Sequence, residues 1–369
     1  MKRRSFLAGL GVGAGAAAGA APFSSSAAAN SAGGATRKLK MVTTWPKNFP
    51  GLGMTPERIA KRMHAATDGR IDIRVYGAGE LVPAFEAFDA VSGGAADMYH
   101  GAEYYWQGKS KAFNFFTSVP FGMNAAEINS WVYYGGGQQL WDDLSAGFNI
   151  KPLLAGNTGV QMGGWYNREI KSAEDFKGLK IRMPGLGGEV LRRLGAAAVA
   201  LPGGEIFPAL QSGAIDATEW VGPWNDLAFG FYKITKYYYY PGFHEPGAAL
   251  AVGFNRDFWQ SLSARDQAIF AAVCAAENEV TLAEFNARNS AALEILQSKH
   301  GVKLNRFSDE VLAAIGKASG EVLAEVAAAD PVTAKVYQSF LAARKSGMTW
   351  ARLSEEAYSQ ARRLEFPYG

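Results

Sequence analysis

Apolar positions in the first hundred residues alternate between two periods. LKMVTTW (39–45) is a short β-branched run of strand length, and IDIRVYG (71–77) places Ile71, Ile73 and Val75 at every second position. That is the period of a strand with one buried face. Between the two runs a helix is predicted from about Thr55, with Pro56 in its first turn and Ile59 and Met63 on one face. Phe85, Phe88 and Val91 then recur at helical spacing up to Gly93-Gly94, after which AADMYHG reads as a strand. Strand–helix–strand alternation of this kind predicts an α/β lobe with parallel pairing.

The pattern recurs downstream. IRMPG (181–185) is strand-like, EVLRRLG (189–195) helical, and IFPALQSGAIDATEW (206–220) again runs helix, glycine, strand. Gly94-Ala95-Ala96-Asp97 and Gly213-Ala214-Ile215-Asp216 each follow an amphipathic helix and open a strand. The predicted fold is therefore two similarly built α/β lobes, with a ligand cleft between them. From Ala264 to His300 there is neither Gly nor Pro, Ser263 with Asp266 forms an N-cap pattern, and Gly301 follows as a stop. This stretch is either one helix of about 55 Å crossing both lobes or two helices with a tight break. Further helices are expected at 309–327, 332–345 and 350–364.

The N-terminus has its own character. Lys2, Arg3 and Arg4 precede an Ala/Gly/Leu run and small residues around Ala27–Ala29, the layout of a cleavable export signal over 1–29. Arg3-Arg4-Ser5-Phe6-Leu7 resembles the twin-arginine pattern, and the run is too Gly-rich and slightly short for the ~20 apolar residues of a membrane anchor. Cleavage removes three of the 37 basic residues and none of the 34 acidic ones. A mature chain balanced at 34 of each sign gives no electrostatic case for nucleic acid or an anionic membrane. Cys274, the single cysteine, permits no intramolecular disulfide and sits in an Ala-rich helical stretch suited to a small apolar role. The four histidines (His64, His100, His244, His300) show no zinc-ligand spacing, and no His-based acid/base pair or Ser–His–Asp set is evident, so an enzyme is not expected.

Three segments carry candidate chemistry. In GNTGVQMGGWYN (156–167), expected as a strand bounded by turns, Asn157 and Gln161 offer uncharged oxygens to a cation or amide N–H groups to a carboxylate, or are simply satisfied strand-end amides. In KGLKIRMPG (177–185), Leu179, Ile181 and Met183 share one face and Lys180 and Arg182 the other. Arg182 ends the strand, where α/β lobes bind ligands, and its fork matches a carboxylate; the alternative is a solvated strand arginine. In GAIDATEWVGPWND (213–226), Glu219 shares strand parity with Ile215 and Ala217, so its carboxylate points inward and needs a cation. It is either half of a structural Glu–Arg pair or, with Gln161, an oxygen ligand for a hard cation, walled by Trp220 and Trp224. Tyr104 and Tyr105 are candidates for a cleft wall or for core. Glu245, in YYYYPGFHEPG (237–247), either reaches the cleft from a segment crossing between lobes or sits on a surface turn.

These segments resemble the solute receptors of tripartite ATP-independent periplasmic (TRAP) transporters, over about residues 38–365, and most of all the branch that binds 2-oxo or 2-hydroxy acids with a metal ion. The resemblance implies that Arg182 salt-bridges the substrate carboxylate, that Asn157 and Tyr104 or Tyr105 add contacts, and that Glu245 falls where the branch varies. It further implies a cation, Na⁺ ahead of Ca²⁺, held by Gln161, Glu219 and the Trp220 backbone carbonyl. The implied fold is periplasmic-binding-protein-like: two α/β lobes, 38–158 with 246–285 and 159–245 with 286–330, with crossing strands and a long inter-lobe helix, then a C-terminal helical segment, 331–369, expected to serve a homodimer. The expected function is periplasmic capture of a small monocarboxylate such as pyruvate, or a hydroxy acid such as lactate, and its delivery to membrane permease subunits. A metal-assisted periplasmic enzyme acting on an oxo acid is the remaining alternative.

Overall fold

In a computed structural model, which describes residues 36–367, the two-period pattern resolves into eleven strands. The export signal expected over 1–29 lies outside the described residues. In chain order the strands are β1 Arg37–Thr43, β2 Ile71–Tyr76, β3 Met98–Gly101, β4 Ile150–Asn157, β5 Gly164–Tyr166, β6 Lys180–Arg182, β7 Ala197–Val199, β8 Ala217–Thr218, β9 Tyr237–Tyr240, β10 Ala249–Asn255 and β11 Lys303–Arg306. The first sheet has the order β2-β1-β3-β10-β4, and the second β11-β9-β5-β8-β6-β7. As the alternation predicts, β1 pairs in parallel with β2 and β3, and β6 with β7 and β8; antiparallel β10 and β5 complete each lobe.

The repeated Gly-Ala-x-Asp has one structural job in both lobes. Asp97 accepts from Lys40 N at 2.7 Å and donates from its own N to Lys40 O at 3.1 Å. Asp216 does the same with Lys180, at 3.1 and 2.7 Å. Each aspartate pins the strand it opens to the neighbouring strand of its sheet. Gly94 and Gly213 take φ +80° and +70° to turn the chain into position, a conformation open to glycine at no steric cost.

Three connections join the lobes. Residues 158–163 lead from β4 to β5 and 241–248 return from β9 to β10, side by side: Thr158 N donates to Ala248 O (3.1 Å), Gln161 N to Glu245 O (3.1 Å) and Gly242 N to Gln161 O (2.9 Å). The third is a single unbroken helix, Ala264–Ser298, which decides the one-or-two question left by the Gly- and Pro-free run. Its N-terminal half buries Phe270, Val273 and Cys274 against Met41, Ile59 and Phe254, and its C-terminal half sets Phe285 and Leu296 against Trp165 and Tyr238. Between them the fully buried Glu277 accepts from Arg58 (2.8 Å) and Arg62 (2.6 Å) on helix Met54–Ala66, tying the long helix to the first lobe.

Several local expectations are corrected. The segment 156–167 is not one strand: it breaks at 158–163, where the backbone passes between sheets through Gly159 (φ +69°) and Gly164 (φ +109°). β8 ends at Thr218, so Glu219 lies past the strand; Thr218 and Trp220 are buried alongside it, and strand parity is not what turns it inward. Lys180 is exposed whereas Arg182 is fully buried, because the end of β6 runs beneath Trp220 and Tyr105 rather than into solvent. At the C-terminus the helices are Asp309–Ala327, Pro331–Ala351 and Glu355–Ala361. The second runs through Gly347, where a Cβ would stand 3.0 Å from Glu127, so the glycine there serves close helix packing rather than a stop. No helix among the described residues is long and apolar enough to cross a membrane.

Candidate functional site

Arg182 is the centre of the site. β6 delivers it at its carboxyl end, and Gly185 (φ +61°) then turns the chain into helix Gly185–Arg193. Its Nη1 donates to the Glu219 carboxylate and, at 3.1 Å, to the Glu219 backbone carbonyl. Nε donates to Leu201 O at 3.2 Å, and Nη2 reaches only the Tyr105 hydroxyl, at 3.4 Å. The guanidinium carbon is 5.1 Å from the Trp220 ring centroid. Burial alone would lower the Arg182 pKa, but Glu219 and the neighbouring acidic groups raise it, so the guanidinium stays charged.

Two more residues complete a buried cluster. His244 Nε2 donates to the second Glu219 oxygen at 3.1 Å, and Glu245 accepts from Gln161 Nε2 at 2.7 Å. Glu219, His244 and Glu245 each place one ligand-capable atom within 4.8 Å of the others, all buried. Burial first, and then the Glu219 carboxylate, push Glu245 well above the usual carboxylate range. Gln161 Oε1 is buried with no hydrogen-bond partner. Most buried acceptors in a folded protein find a partner, and here the Gln161 oxygen shares the cluster with two further partnerless buried groups, Trp220 Nε1 and His244 Nδ1. An unsatisfied amide oxygen beside two carboxylates is the donor set of a hard cation, so these residues fit one.

A narrow cavity of about 10 Å³, room for about one water molecule, adjoins the cluster. Gln161, Glu245, Thr158 and Tyr105 line its polar end; Trp45, Leu52, Val221 and Leu250 form apolar wall. Arg182 and Glu219 are not among its lining residues and meet it through Tyr105 and Trp220, because each satisfies the other. Burial pushes the Tyr105 hydroxyl up to about 12, so it remains a neutral donor and acceptor. Trp45, from the first lobe, stands edge-on to Trp220 of the second at 6.1 Å, and its indole donates to His100 Nδ1 at 2.8 Å.

The structure thus brings together Gln161, Trp220, Glu245 and both tyrosines as lining of one cavity, with the Arg182–Glu219 pair directly behind Tyr105 and Trp220. Asn157 stands apart from its lining: its Oδ1 caps Gly159 N at 2.8 Å and its Nδ2 donates to Gly247 O at 3.4 Å. Trp224 packs on Phe285 and Gly51 rather than walling Glu219. His244 is the cluster residue that the sequence did not single out, since it has neither zinc-ligand spacing nor an acid/base partner close in the chain. Its place beside Glu245, in the segment crossing between lobes, was the available signal.

Comparison with known proteins places this geometry. Residues 41–330 match the family model of the bacterial extracellular solute-binding proteins, family 7. A monocarboxylate 2-oxoacid-binding periplasmic protein of Nostoc is 44% identical over 319 residues, 86% of this chain and 87% of the relative. A TRAP periplasmic solute binding protein from Pseudoalteromonas atlantica, solved with bound sodium and pyruvate, superposes with TM-score 0.86 at 40% identity, covering 88% of this chain and 99% of that one. Another from Bordetella bronchiseptica gives TM-score 0.87 at 38% identity, covering 89% and 97%; it is a mixed-occupancy dimer with copurified calcium and picolinate in one site.

The buried pair makes a prediction independent of any ligand. Replacing Arg182 by Met leaves a buried carboxylate without its cation and should lower the unfolding free energy by about 3 kcal/mol. Adding Glu219→Leu should recover at least about 1 kcal/mol, because no charge is then stranded. Urea denaturation of the wild type, both single variants and the double variant measures both; a double variant as unstable as the sum of the two single ones would show that the pair contributes nothing.

Proposed function

The chain belongs to the bacterial extracellular solute-binding proteins of family 7, and on that premise we propose that it is a TRAP transporter receptor for a 2-oxo monocarboxylate of pyruvate type, bound together with a cation. Proteins of this family are receptors rather than enzymes, and they work outside the cytoplasmic membrane. The observation that carries the reading is Arg182, buried and ion-paired with Glu219, next to an unpartnered Gln161 oxygen and a second buried carboxylate, Glu245. The ligands named for the Nostoc relative and the Pseudoalteromonas structure support the choice of substrate.

Glu219, Gln161 Oε1 and the Trp220 backbone carbonyl would hold the cation, with Glu245 at the same cluster. A cation there supplies a fixed positive charge for the carboxylate and 2-oxygen of a ligand. Sodium and calcium occur in the two structural relatives, and sodium, found with pyruvate, is the first expectation. Arg182 Nη2, whose one contact is a 3.4 Å approach to Tyr105, is the donor that takes the ligand's carboxylate. Trp45, Leu52, Val221 and Leu250 enclose the alkyl end and keep water out. Lobe closure then gives the membrane permease a liganded shape to recognise.

Two finer points belong to the same proposal. Trp350, Leu353 and Tyr358 are exposed near the C-terminus, helix Glu355–Ala361 buries no residue, and Tyr134, beside them on a groove with Trp131 and Gly347, is 95% exposed. A second copy of the chain covering this face gives a homodimer, in keeping with the Bordetella relative. Export follows the twin-arginine route through Arg3-Arg4.

Calorimetry with pyruvate tests the main reading: chelating or omitting the cation should weaken binding by about 2–4 kcal/mol, roughly thirty- to a thousandfold. Unchanged affinity without any cation would discard its role. Deleting residues 349–369 should halve the mass measured by light scattering, and a wild-type mass equal to one chain would remove the dimer. Replacing Arg3-Arg4 by Lys-Lys should strand unprocessed precursor in the cytoplasm; normal export of that variant would point to the general secretory route.

A further inference from the structure

The two ends of a glutamine amide have the same shape, so the end facing a site is decided by what surrounds it. Around Gln161 that choice is over-determined. Its Nε2 donates to Glu245 Oε2 at 2.7 Å and to Thr158 Oγ1 at 3.0 Å. Thr158 has already committed its hydroxyl hydrogen to Gly159 O, at 3.0 Å, so toward Gln161 it can only accept. With Glu245 ionised, the form a nearby cation favours, a flipped amide would set Oε1 against two acceptors and turn both N–H donors toward the cluster. Main-chain bonds hold the same spot: Gln161 N donates to Glu245 O at 3.1 Å, and Gly242 N to Gln161 O at 2.9 Å. All three side chains are almost wholly buried, so water offers no substitute partner.

Resting on the cation reading above, we infer that Glu245 and Thr158 are positioning residues that lock the Gln161 amide with its oxygen facing the cation. Without the lock an N–H group samples the cation's position, and a positive ion meets a donor instead of a ligand. Both sit on the connectors that join the lobes, where the bonds between 158–163 and 241–248 are made. That assigns Glu245 a role in cation binding beyond contact with substrate, and gives Thr158 a role in the site.

The test uses the mature full-length chain and Ca²⁺ alone, without carboxylate. Thr158→Val removes one acceptor of the Gln161 amide and changes no charge; it should weaken Ca²⁺ binding in calorimetry by about three- to tenfold. Thr158→Ser keeps the hydroxyl and should bind as the wild type does, and Glu245→Gln should lose tenfold or more. In protein labelled with ¹⁵N-glutamine, both Gln161 Nε2 protons should exchange slowly in the wild type, and one should lose protection in Thr158→Val. Native Ca²⁺ affinity in Thr158→Val, equal weakening in Thr158→Ser, or rapid exchange of the wild-type Gln161 protons overturns this inference alone. A wild-type chain that binds no cation, with or without pyruvate, overturns the cation site and this inference with it.

Discussion

A charged guanidinium taken wholly out of water is the constraint around which this structure is arranged. Desolvating Arg182 costs several kcal/mol unless its donors and charge are met in place. The fold meets them with the Glu219 carboxylate and carbonyl, Leu201 O and, at the long limit of a hydrogen bond, Tyr105. The solution is incomplete by design of the residues present. One Arg182 nitrogen is barely used, one Gln161 oxygen is unused, and a second carboxylate, Glu245, is held in the same dry cluster. In the proposed reading a carboxylate ligand brings the anionic group to Arg182 and a cation brings positive charge to the oxygens.

Placement of these groups follows from connectivity. Arg182 and Glu219 come from the second sheet, at the ends of neighbouring strands β6 and β8. Gln161, His244 and Glu245 come from the two connectors. The first lobe contributes Tyr104, Tyr105, Trp45 and Leu52, which add wall and a phenol but no charge. The polar half of the site is thus assembled on the second sheet's strand ends and the two connectors, and first-sheet residues cover it. Trp45 against Trp220, and Phe49 against Trp220 and Phe229, form the aromatic contact across that boundary. His100, pushed down to about 4 by burial, stays neutral and holds the Trp45 indole in place.

Much of this was legible along the chain. Period-2 and helical spacing marked β1, β2 and the helices beside them, and the repeated Gly-Ala-x-Asp correctly paired the two lobes, since the same hydrogen bonds to Lys40 and Lys180 recur in each. Arg182, at the end of a strand before Pro-Gly, was recognisable as a site residue. Glu219 was reached by an argument that does not hold in the structure: it is buried by Arg182 and His244, not by strand alternation. Asn157 looked like a ligand donor because an amide at a strand end has that chemistry, yet its bonds close the turn it sits on. His244 went unseen because it has no helical or zinc-like spacing to Glu219; the two meet through tertiary structure, 25 residues apart.

Local pattern determined what depends on near neighbours: element type, the two-lobe repeat, the Ser263 cap of the long helix, and the types of chemistry available. Those follow from backbone sterics, hydrogen-bond periodicity and side-chain identity within a few residues. Tertiary structure decided which polar groups share a cavity, which of them are already satisfied and which amide oxygen is left over. These are properties of burial and of partners drawn from residues 45 to 250, and no spacing along the chain encodes a desolvation that exists only once both lobes are folded.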